Sequence, residues 1–451
     1  MKLATVLLAG LILTCGTPVA AQSIAAPSSD AGQQPSDAVP DAQTSLPATS
    51  PTGFQALKVS GPTMNRTFLS PSLRFSHRIS GNTREADQGM QWESTSIVGG
   101  SLEFERRAGH NVTTLNYGAV GRPYTSGEAS TNSMHQLSIS QGVQLGRVGL
   151  NFANDFAYTS ESNRFTGLED IGDPSLEEPV LADDSIIVGH APRFTNTTAG
   201  QMEYMLDRRK SLSFGGTYTL LRHRGEASTI DGNQIGGRAA FNYVVNRRTS
   251  IGLSYGLTRF GFQDAVQEID SHTFHFSVSR QLSRTWLLNV AVGPELTKLG
   301  ISESESSKSV RFSTSATLLY STGRRTFQAS YTEGTRNGSG VMVGSHSRRV
   351  EASLGASLSR NWSAEIRGAY ANNSSFSELS SAVEQGRFHS GAAGIRIRRQ
   401  LGSHVQAFTS YNLQRQDHAG GCATGIGCDD LVTRHAIEFG LRFILLPVRV
   451  R

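Results

Sequence analysis

Residues 148–158 read Val148-Gly149-Leu150-Asn151-Phe152-Ala153-Asn154-Asp155-Phe156-Ala157-Tyr158. Even positions are mostly apolar or aromatic, and odd positions are mostly small or polar. Successive side chains of an extended chain point to opposite faces, so this segment has one greasy face and one wettable face. The pattern recurs along the chain. Leu212, Phe214, Tyr218 and Leu220 alternate with Ser213, Gly215, Thr217 and Thr219. Ile251, Leu253, Tyr255 and Leu257 follow, then Phe274, Phe276 and Val278, then Trp286, Leu288, Val290 and Val292. Val310 to Tyr320, Val350 to Leu358 and Trp362 to Tyr370 continue it, and Ile437, Phe439, Leu441 and Phe443 close it.

A soluble sandwich with its greasy faces packed inward shows the same alternation as a membrane barrel with its greasy face turned out. Three features separate them. Connections alternate between short and long. Short basic turns are expected at Arg106–Gly109, Gly146-Arg147, Asp207–Lys210, Asn246–Arg248, Ser283-Arg284, Thr322–Arg325, Ser359–Asn361 and Gly402-Ser403. Longer polar loops are expected at 80–92, 121–133, 159–192, 223–235, 260–270, 297–308, 333–347, 371–387 and 415–432. An up-and-down meander with one smooth rim and one loop-rich rim is the asymmetry of outer-membrane barrels. Second, Tyr117, Tyr158, Tyr204, Tyr218, Tyr243, Tyr255, Tyr320, Tyr331, Tyr370 and Tyr411 fall in the apolar register, with Trp286 and Trp362 just after short turns. Buried in a soluble core these hydroxyls would each need a partner, whereas at a bilayer interface they form an aromatic girdle. Third, nine hairpins give about eighteen antiparallel strands, an even number that closes with both termini on the short-turn side. Segments 95–105, 388–401 and 404–414 carry the weakest pattern, and with one hairpin fewer the count is sixteen.

Composition agrees with an all-β transmembrane barrel. The chain has 451 residues, of which 37% are hydrophobic, with 47 glycines and 14 prolines. The chain beyond the leader has no apolar run long enough for a membrane helix. Lys2, the apolar stretch Leu3–Thr14 and the small residues Val19-Ala20-Ala21 read as a signal peptide over 1–21. Residues 22–60 open with a low-complexity Pro/Ser/Ala/Asp tract and are expected to be a disordered periplasmic linker, leaving 61–451 for the barrel. The net charge is +5. Its arginines are dispersed at regular intervals, and the export signal argues against nucleic acid as a partner. Cys15 lies in the leader. Cys422 and Cys428, an even pair in an exported chain, are expected to form a disulfide in the last long loop. No cofactor is expected. Only His418, Asp429 and Asp430 accompany these cysteines, so no metal site is expected either.

The turns Gln281-Leu-Ser-Arg-Thr-Trp286 and Ser357-Leu-Ser-Arg-Asn-Trp362 resemble periplasmic turns of the beta-barrel porin 2-type families of Gram-negative outer membranes. The resemblance runs over residues 66–443. It implies an outer-membrane location, contact with lipid and lipopolysaccharide, and insertion by the barrel-assembly machinery. That machinery reads an aromatic final strand, which Phe439, Leu441 and Phe443 match; the continuation Ile444–Arg451 departs from the pattern.

With the apolar set facing lipid, the opposite set lines the inside. Small polar residues such as Ser213, Thr217, Thr219, Ser254, Ser313 and Ser330 dominate it. A barrel of about eighteen strands is too wide for such side chains to plug. The charged inward candidates are Arg238, Arg311, Arg349, Glu351, Glu365, Arg367, Arg396, Arg398, Arg434, Glu438 and Arg442, along with Arg74, Arg78, Glu103, Glu203 and Glu295. Guanidinium groups on a wet wall favour anionic solutes, while cross-strand ion pairing would only stiffen the wall. The acidic loop 159–192 is a candidate constriction, and Asp231–Gly236 reads as a turn. The chain contains no Gly-x-Ser-x-Gly, no His-Glu-x-x-His and no phosphate-binding glycine loop, so enzymatic chemistry is not expected. Two functions remain: diffusion of small hydrophilic solutes, anions among them, or a barrel component for exopolysaccharide export.

Overall fold

The computed structural model describes residues 63–83, 91–122, 132–159, 192–224, 231–262, 268–300, 306–336, 344–375, 387–419, 431–445 and 448–449. Within them lie eighteen long strands and one short one. They are β1 (Thr63–Thr83), β2 (Gln91–Gly109), β3 (Asn111–Arg122), β4 (Asn132–Leu145), β5 (Val148–Thr159) and β6 (Arg193–Met205). Next come β7 (Lys210–His223), β8 (Gly232–Asn246), β9 (Thr249–Phe262), β10 (Glu268–Gln281), β11 (Trp286–Gly300) and β12 (Ser306–Ser321). The last are β13 (Arg325–Arg336), β14 (Ser345–Ser357), β15 (Trp362–Ser375), β16 (Arg387–Gln400), β17 (Val405–Ala419), β18 (Leu431–Ile444) and β19 (Val448–Arg449). Each long strand pairs antiparallel with its sequence neighbours, and β18 returns to β1 from Ser72↔Ile444 to Thr83↔Thr433. Closure pairs the two strands, β1 and β18, that would be the edges of an open sheet. The three weakly patterned segments are strands β2, β16 and β17, which settles the count at eighteen. Beyond Ile444 the chain resumes pairing with β1 as β19, Leu69↔Val448 and Phe68↔Arg449.

The short turns are built by their own side chains. Gly109 and Gly146 adopt φ of 56° and 57°, a left-handed conformation that glycine takes without steric cost. At the β6–β7 turn, Asp207 Oδ1 accepts the N–H groups of Arg209 at 2.7 Å and Lys210 at 2.9 Å. Those backbone donors hold the Asp207 carboxyl below its ordinary range. Asn246 does the same for the Arg248 N–H at 2.9 Å. The two Leu-Ser-Arg-x-Trp segments form one turn type. Leu282 and Leu358 each donate their N–H to the carbonyl of the following tryptophan, at 3.0 and 2.9 Å. Ser283 and Ser359 each accept the N–H two residues on. Arginine at these positions is thus free to stay in solvent while a Ser, Asn or Asp makes the turn.

Burial is inverted relative to a soluble protein. Leu73, Phe75, Phe152, Phe214, Leu253, Phe274, Ile366 and Phe439 are exposed, whereas Ser72, Arg74, Ser76, Arg78, Ser277, Glu295, Arg349 and Glu438 are buried. The apolar half of every alternating segment therefore faces outward and the polar half faces the interior. The shortest of the eighteen long strands have 12 residues. At about 3.3 Å per residue that exceeds what a tilted strand needs to cross a bilayer.

At the long-loop rim, strands run several residues further than the alternation shows. Asp231–Gly236, read as a turn, is one such place: β8 starts at Gly232 and pairs with β7 and β9. Only Asp231 lies outside the strand, accepting the His223 N–H at 2.7 Å. The interior of the acidic loop and Cys422 and Cys428 lie outside the described residues.

Candidate functional site

All the charged residues singled out from the sequence sit on the inner face. Parity carries this result: a residue two, four or six places from a buried serine shares its side of the pleat. Several are joined by ion pairs. Glu365 on β15 holds Arg367 at 2.9 Å and reaches Arg398 on β16 at 3.7 Å. Arg349 pairs with Glu351 along β14. Glu438 on β18 takes Arg74 at 2.5 Å and Arg78 at 2.7 Å, both from β1, so one carboxylate clamps the closing seam. Arg396 stands directly opposite Glu365, and Arg442 opposite Arg74. Arg434 faces Gln414 of β17. Arg238 on β8 donates to Ser254 Oγ at 3.1 Å, and Arg311 on β12 lies opposite Glu295. Ion pairing joins these residues across strands at Arg398–Glu365 and at Glu438 with Arg74 and Arg78, and along one strand at Arg349–Glu351 and Arg367–Glu365. The inward acids bring two arginines each at Glu365 and Glu438, so guanidinium groups outnumber carboxylates on this part of the wall.

Sequence reasoning missed an inner aromatic. Phe408 on β17 is buried beneath the Arg74 guanidinium, 4.6 Å from the ring centroid. Gly440 on the next strand makes room for it, since a Cβ there would lie 2.8 Å from the Phe408 ring and 2.5 Å from the Phe75 carbonyl oxygen.

It also missed a break in the wall. β12 and β13 pair only from Thr314↔Glu333 to Ser321↔Thr326. Above Thr314, β12 continues to Ser306 hydrogen-bonded to β11 alone. The end of β13 passes on the inner side of β12. The Thr335 N–H donates to both oxygens of Glu295, at 3.2 and 3.1 Å, and Thr335 Oγ1 lies 3.2 Å from Thr297 Oγ1 on the inner face of β11. Ser271 Oγ adds a second donor to Glu295 at 2.5 Å. The two strands overlap like lapped planks, with the β13–β14 end inside. Ser345, His346 and Ser347 of that end are 1%, 5% and 1% exposed. On the outer side, Val310 and Phe312 have lost their lateral neighbour and stand 68% and 69% exposed.

Local sequence explains the position of the break. Pro294 has no N–H to give, and the β10–β11 ladder is interrupted there, between Thr273↔Glu295 and Phe276↔Val292. Gly293 beside it lets the backbones close in: a Cβ would come 1.7 Å from the Phe274 carbonyl oxygen. Gly334 lies against Ser313 and Glu295, where a Cβ would meet Ser313 Oγ at 3.1 Å. Mid-strand Pro294, Gly293 and Gly334 were the available signals.

The girdle positions Tyr117, Tyr158, Tyr204, Tyr218, Tyr243, Tyr255, Trp286, Tyr320, Tyr331, Trp362, Tyr370 and Tyr411 all share the outward register with exposed apolar neighbours. Trp286 packs on Tyr320 with ring centroids 4.7 Å apart near the short turns, and Trp362 lies under Arg399. Toward the long loops the aromatics have an unforeseen partner. Tyr117, Tyr255, Tyr370 and Tyr411 each hydrogen-bond through the hydroxyl to Nδ1 of His135, His272, His389 and His435, at 3.0, 2.8, 2.9 and 2.9 Å. In every case the histidine is on the next strand, one diagonal step nearer the loop.

Comparison with known proteins adds little beyond the fold. No family model matches the chain, and no curated protein matches it. Among solved structures, OccK2 (OpdF) of Pseudomonas aeruginosa is 12% identical over 84% of this chain and 98% of its own, with a TM-score of 0.45. A BenF-like porin from Pseudomonas fluorescens Pf-5 is 10% identical over 87% of this chain and 100% of its own, with a TM-score of 0.44. These likenesses concern barrel architecture. The strand pairing establishes the same point from this chain alone: it is a closed, eighteen-stranded, antiparallel up-and-down barrel.

Proposed function

We propose that this barrel spans the bacterial outer membrane and passes small hydrophilic solutes, anions in preference to cations. One observation carries the reading. Large apolar side chains cover the outside of a closed sheet, while the inside is mostly serines, threonines and ion-paired arginines, with apolar residues such as Ile97, Phe260, Ile269 and Phe408 among them. Such a surface is stable only where the outside meets acyl chains, because a continuous apolar exterior of this size in water would drive aggregation. Eighteen strands enclose a space that short Ser and Thr side chains do not fill. The lapped end of β13–β14 narrows it on one side, and the arginines around Glu365 and Glu438 set the sign of its field.

The aromatic and Tyr–His positions act as the interfacial girdle, and the short-turn rim faces the periplasm with residues 22–60 as a spacer. Planar-bilayer recording of the purified chain tests the function. Discrete conductance steps with a reversal potential favouring anions in a salt gradient are expected. Well-folded barrel that gives no steps, or a cation preference, contradicts the reading.

A further inference from the structure

On the outward face, strands β9 to β12 carry a grid of side chains in register. The row nearest the long loops is Arg259, Asp270, Lys298 and Lys308, each directly opposite the next. The row beneath is Leu257, His272, Leu296 and Val310, and the third is Tyr255, Phe274, Pro294 and Phe312. From the third row upward the surface changes from aromatic, through mixed, to charged. That gradient is the one a side chain meets between acyl chains and headgroups.

The charged row is unbalanced. Asp270 gives both carboxylate oxygens to Arg259, at 2.7 and 3.1 Å, and so is committed. Lys298 and Lys308 face each other across β11–β12, both exposed, with no ion pair of their own among the described residues. Glu268, one step nearer the loop, is exposed and makes no ion pair with either lysine there. Like charges directly opposite on neighbouring strands repel, and a barrel has no structural need to place them so. An anion between them converts the repulsion into two charge-assisted contacts. His272 stands at the edge of this patch, with Nδ1 and the Tyr255 hydroxyl 2.8 Å apart, and its protonated ring presents Nε2–H to a headgroup anion.

We infer that Lys298 and Lys308, with His272 beside them, form a binding site on the barrel exterior for the phosphate of a membrane lipid headgroup in the long-loop leaflet. The inference rests on the membrane reading above. The occupant is a lipid phosphate and not a soluble anion, because the apolar rows immediately beneath continue the site into a surface suited to acyl chains. At the opposite rim Arg208, Arg247, Arg284 and Arg360 stand in turns, beyond the strands, and the outward strand residue Arg399 is engaged over the Trp362 ring.

Native mass spectrometry of the full chain in neutral detergent provides the test. The probes are a bis-phosphorylated glucosamine-disaccharide lipid, the same lipid stripped of phosphate, and inorganic phosphate. Wild type is expected to retain the phosphorylated lipid in preference to the stripped one. The paired change Lys298→Ala with Lys308→Ala should weaken retention by roughly ten-fold, the scale of losing charge-assisted contacts. Lys298→Arg with Lys308→Arg should preserve it, and Lys210→Ala at the other rim should leave it unchanged. Equal retention by the alanine pair, equal binding of the stripped lipid, or full displacement by inorganic phosphate at matched concentration overturns the proposal. Insertion into neutral phosphatidylcholine vesicles is scored in parallel. A barrel that inserts but ignores phosphate sinks this inference alone, whereas one that never inserts sinks the membrane reading beneath it.

Discussion

Replacing Glu438 by Gln should destabilise the barrel by ~3 kcal/mol, because it unclamps the strand pair that closes the sheet. Glu438 side-chain oxygens lie 2.5 Å from Arg74 and 2.7 Å from Arg78, and all three side chains are under 10% exposed. With an effective dielectric near 20, one pair of charges about 4 Å apart is worth ~4 kcal/mol before desolvation is subtracted. Breaking a buried pair by removing one partner typically costs ~3–5 kcal/mol, since the remaining charge is left buried and uncompensated. Glutamine keeps one carbonyl oxygen as acceptor, which places the expected loss at the low end. The assay is urea unfolding of the barrel reconstituted in lipid vesicles, followed by tryptophan emission, with the unfolding midpoint compared at constant slope. A control is Arg259→Ala, which breaks an ion pair whose arginine side chain is 61% exposed. Its cost should be below about 1 kcal/mol, as for other exposed pairs. If Glu438→Gln proves no more costly than this control, the inner face beside β1 is flooded by water, and the clamp reasoning is wrong.

Other outcomes follow from the same geometry. Glu295→Leu removes the acceptor for the Thr335 N–H and Ser271 Oγ, so the β13–β14 end loses its anchor; single-channel conductance should rise or become noisy, and unchanged conductance would deny it a constricting role. Gly440→Ala forces a methyl toward the Phe75 carbonyl and the Phe408 ring and should cost ~1–3 kcal/mol in the same urea assay, an overpacking penalty. Glu365→Gln frees Arg367 and Arg398 from their shared carboxylate and should raise the anion-to-cation permeability ratio; a fall would reverse the assignment of the field. The Asp207 carboxyl titrates below its ordinary value of 3.8, so its turn is fully supported above that pH and loosens as pH falls through the lower folded value. Hydrogen exchange of the Arg209 and Lys210 amides should show protection lost on acidification in wild type but independent of pH in Asp207→Asn.

Much of this was legible in the residues themselves. Period-two alternation is a direct consequence of backbone geometry, so Phe214 against Ser213 or Arg396 against Ile395 announces its side once the outward face is known. Most short turns were equally readable, because Asp207, Asn246, Ser283 and Ser359 carry the hydrogen bonds that make them, whereas Arg106–Gly109, expected as a turn, is the end of β2 and pairs with β1 and β3. Strand ends at the loop rim were not, since segments such as Gly232–Gly237 are polar or glycine-rich on both faces and lose the alternating signal. Partner choice within the inner cluster escaped for a different reason. Parity gives the face of Arg74 and Glu438, but which arginine reaches which carboxylate depends on a register set 364 residues apart. The lapped seam turns on Pro294, Gly293 and Gly334, single residues whose effect appears only when three strands are brought together.

The sidedness of the pleat is tested most directly by single cysteines along β7, introduced after Cys422 and Cys428 are replaced by serine. In reconstituted barrel, cysteines at Ser213, Thr217 and Thr219 should react with a small charged thiol reagent, while those at Phe214, Tyr218 and Leu220 should resist it and, once fluorescently labelled, be quenched by nitroxide-bearing lipids. Reactivity in the opposite phase, or with no period of two, contradicts the account.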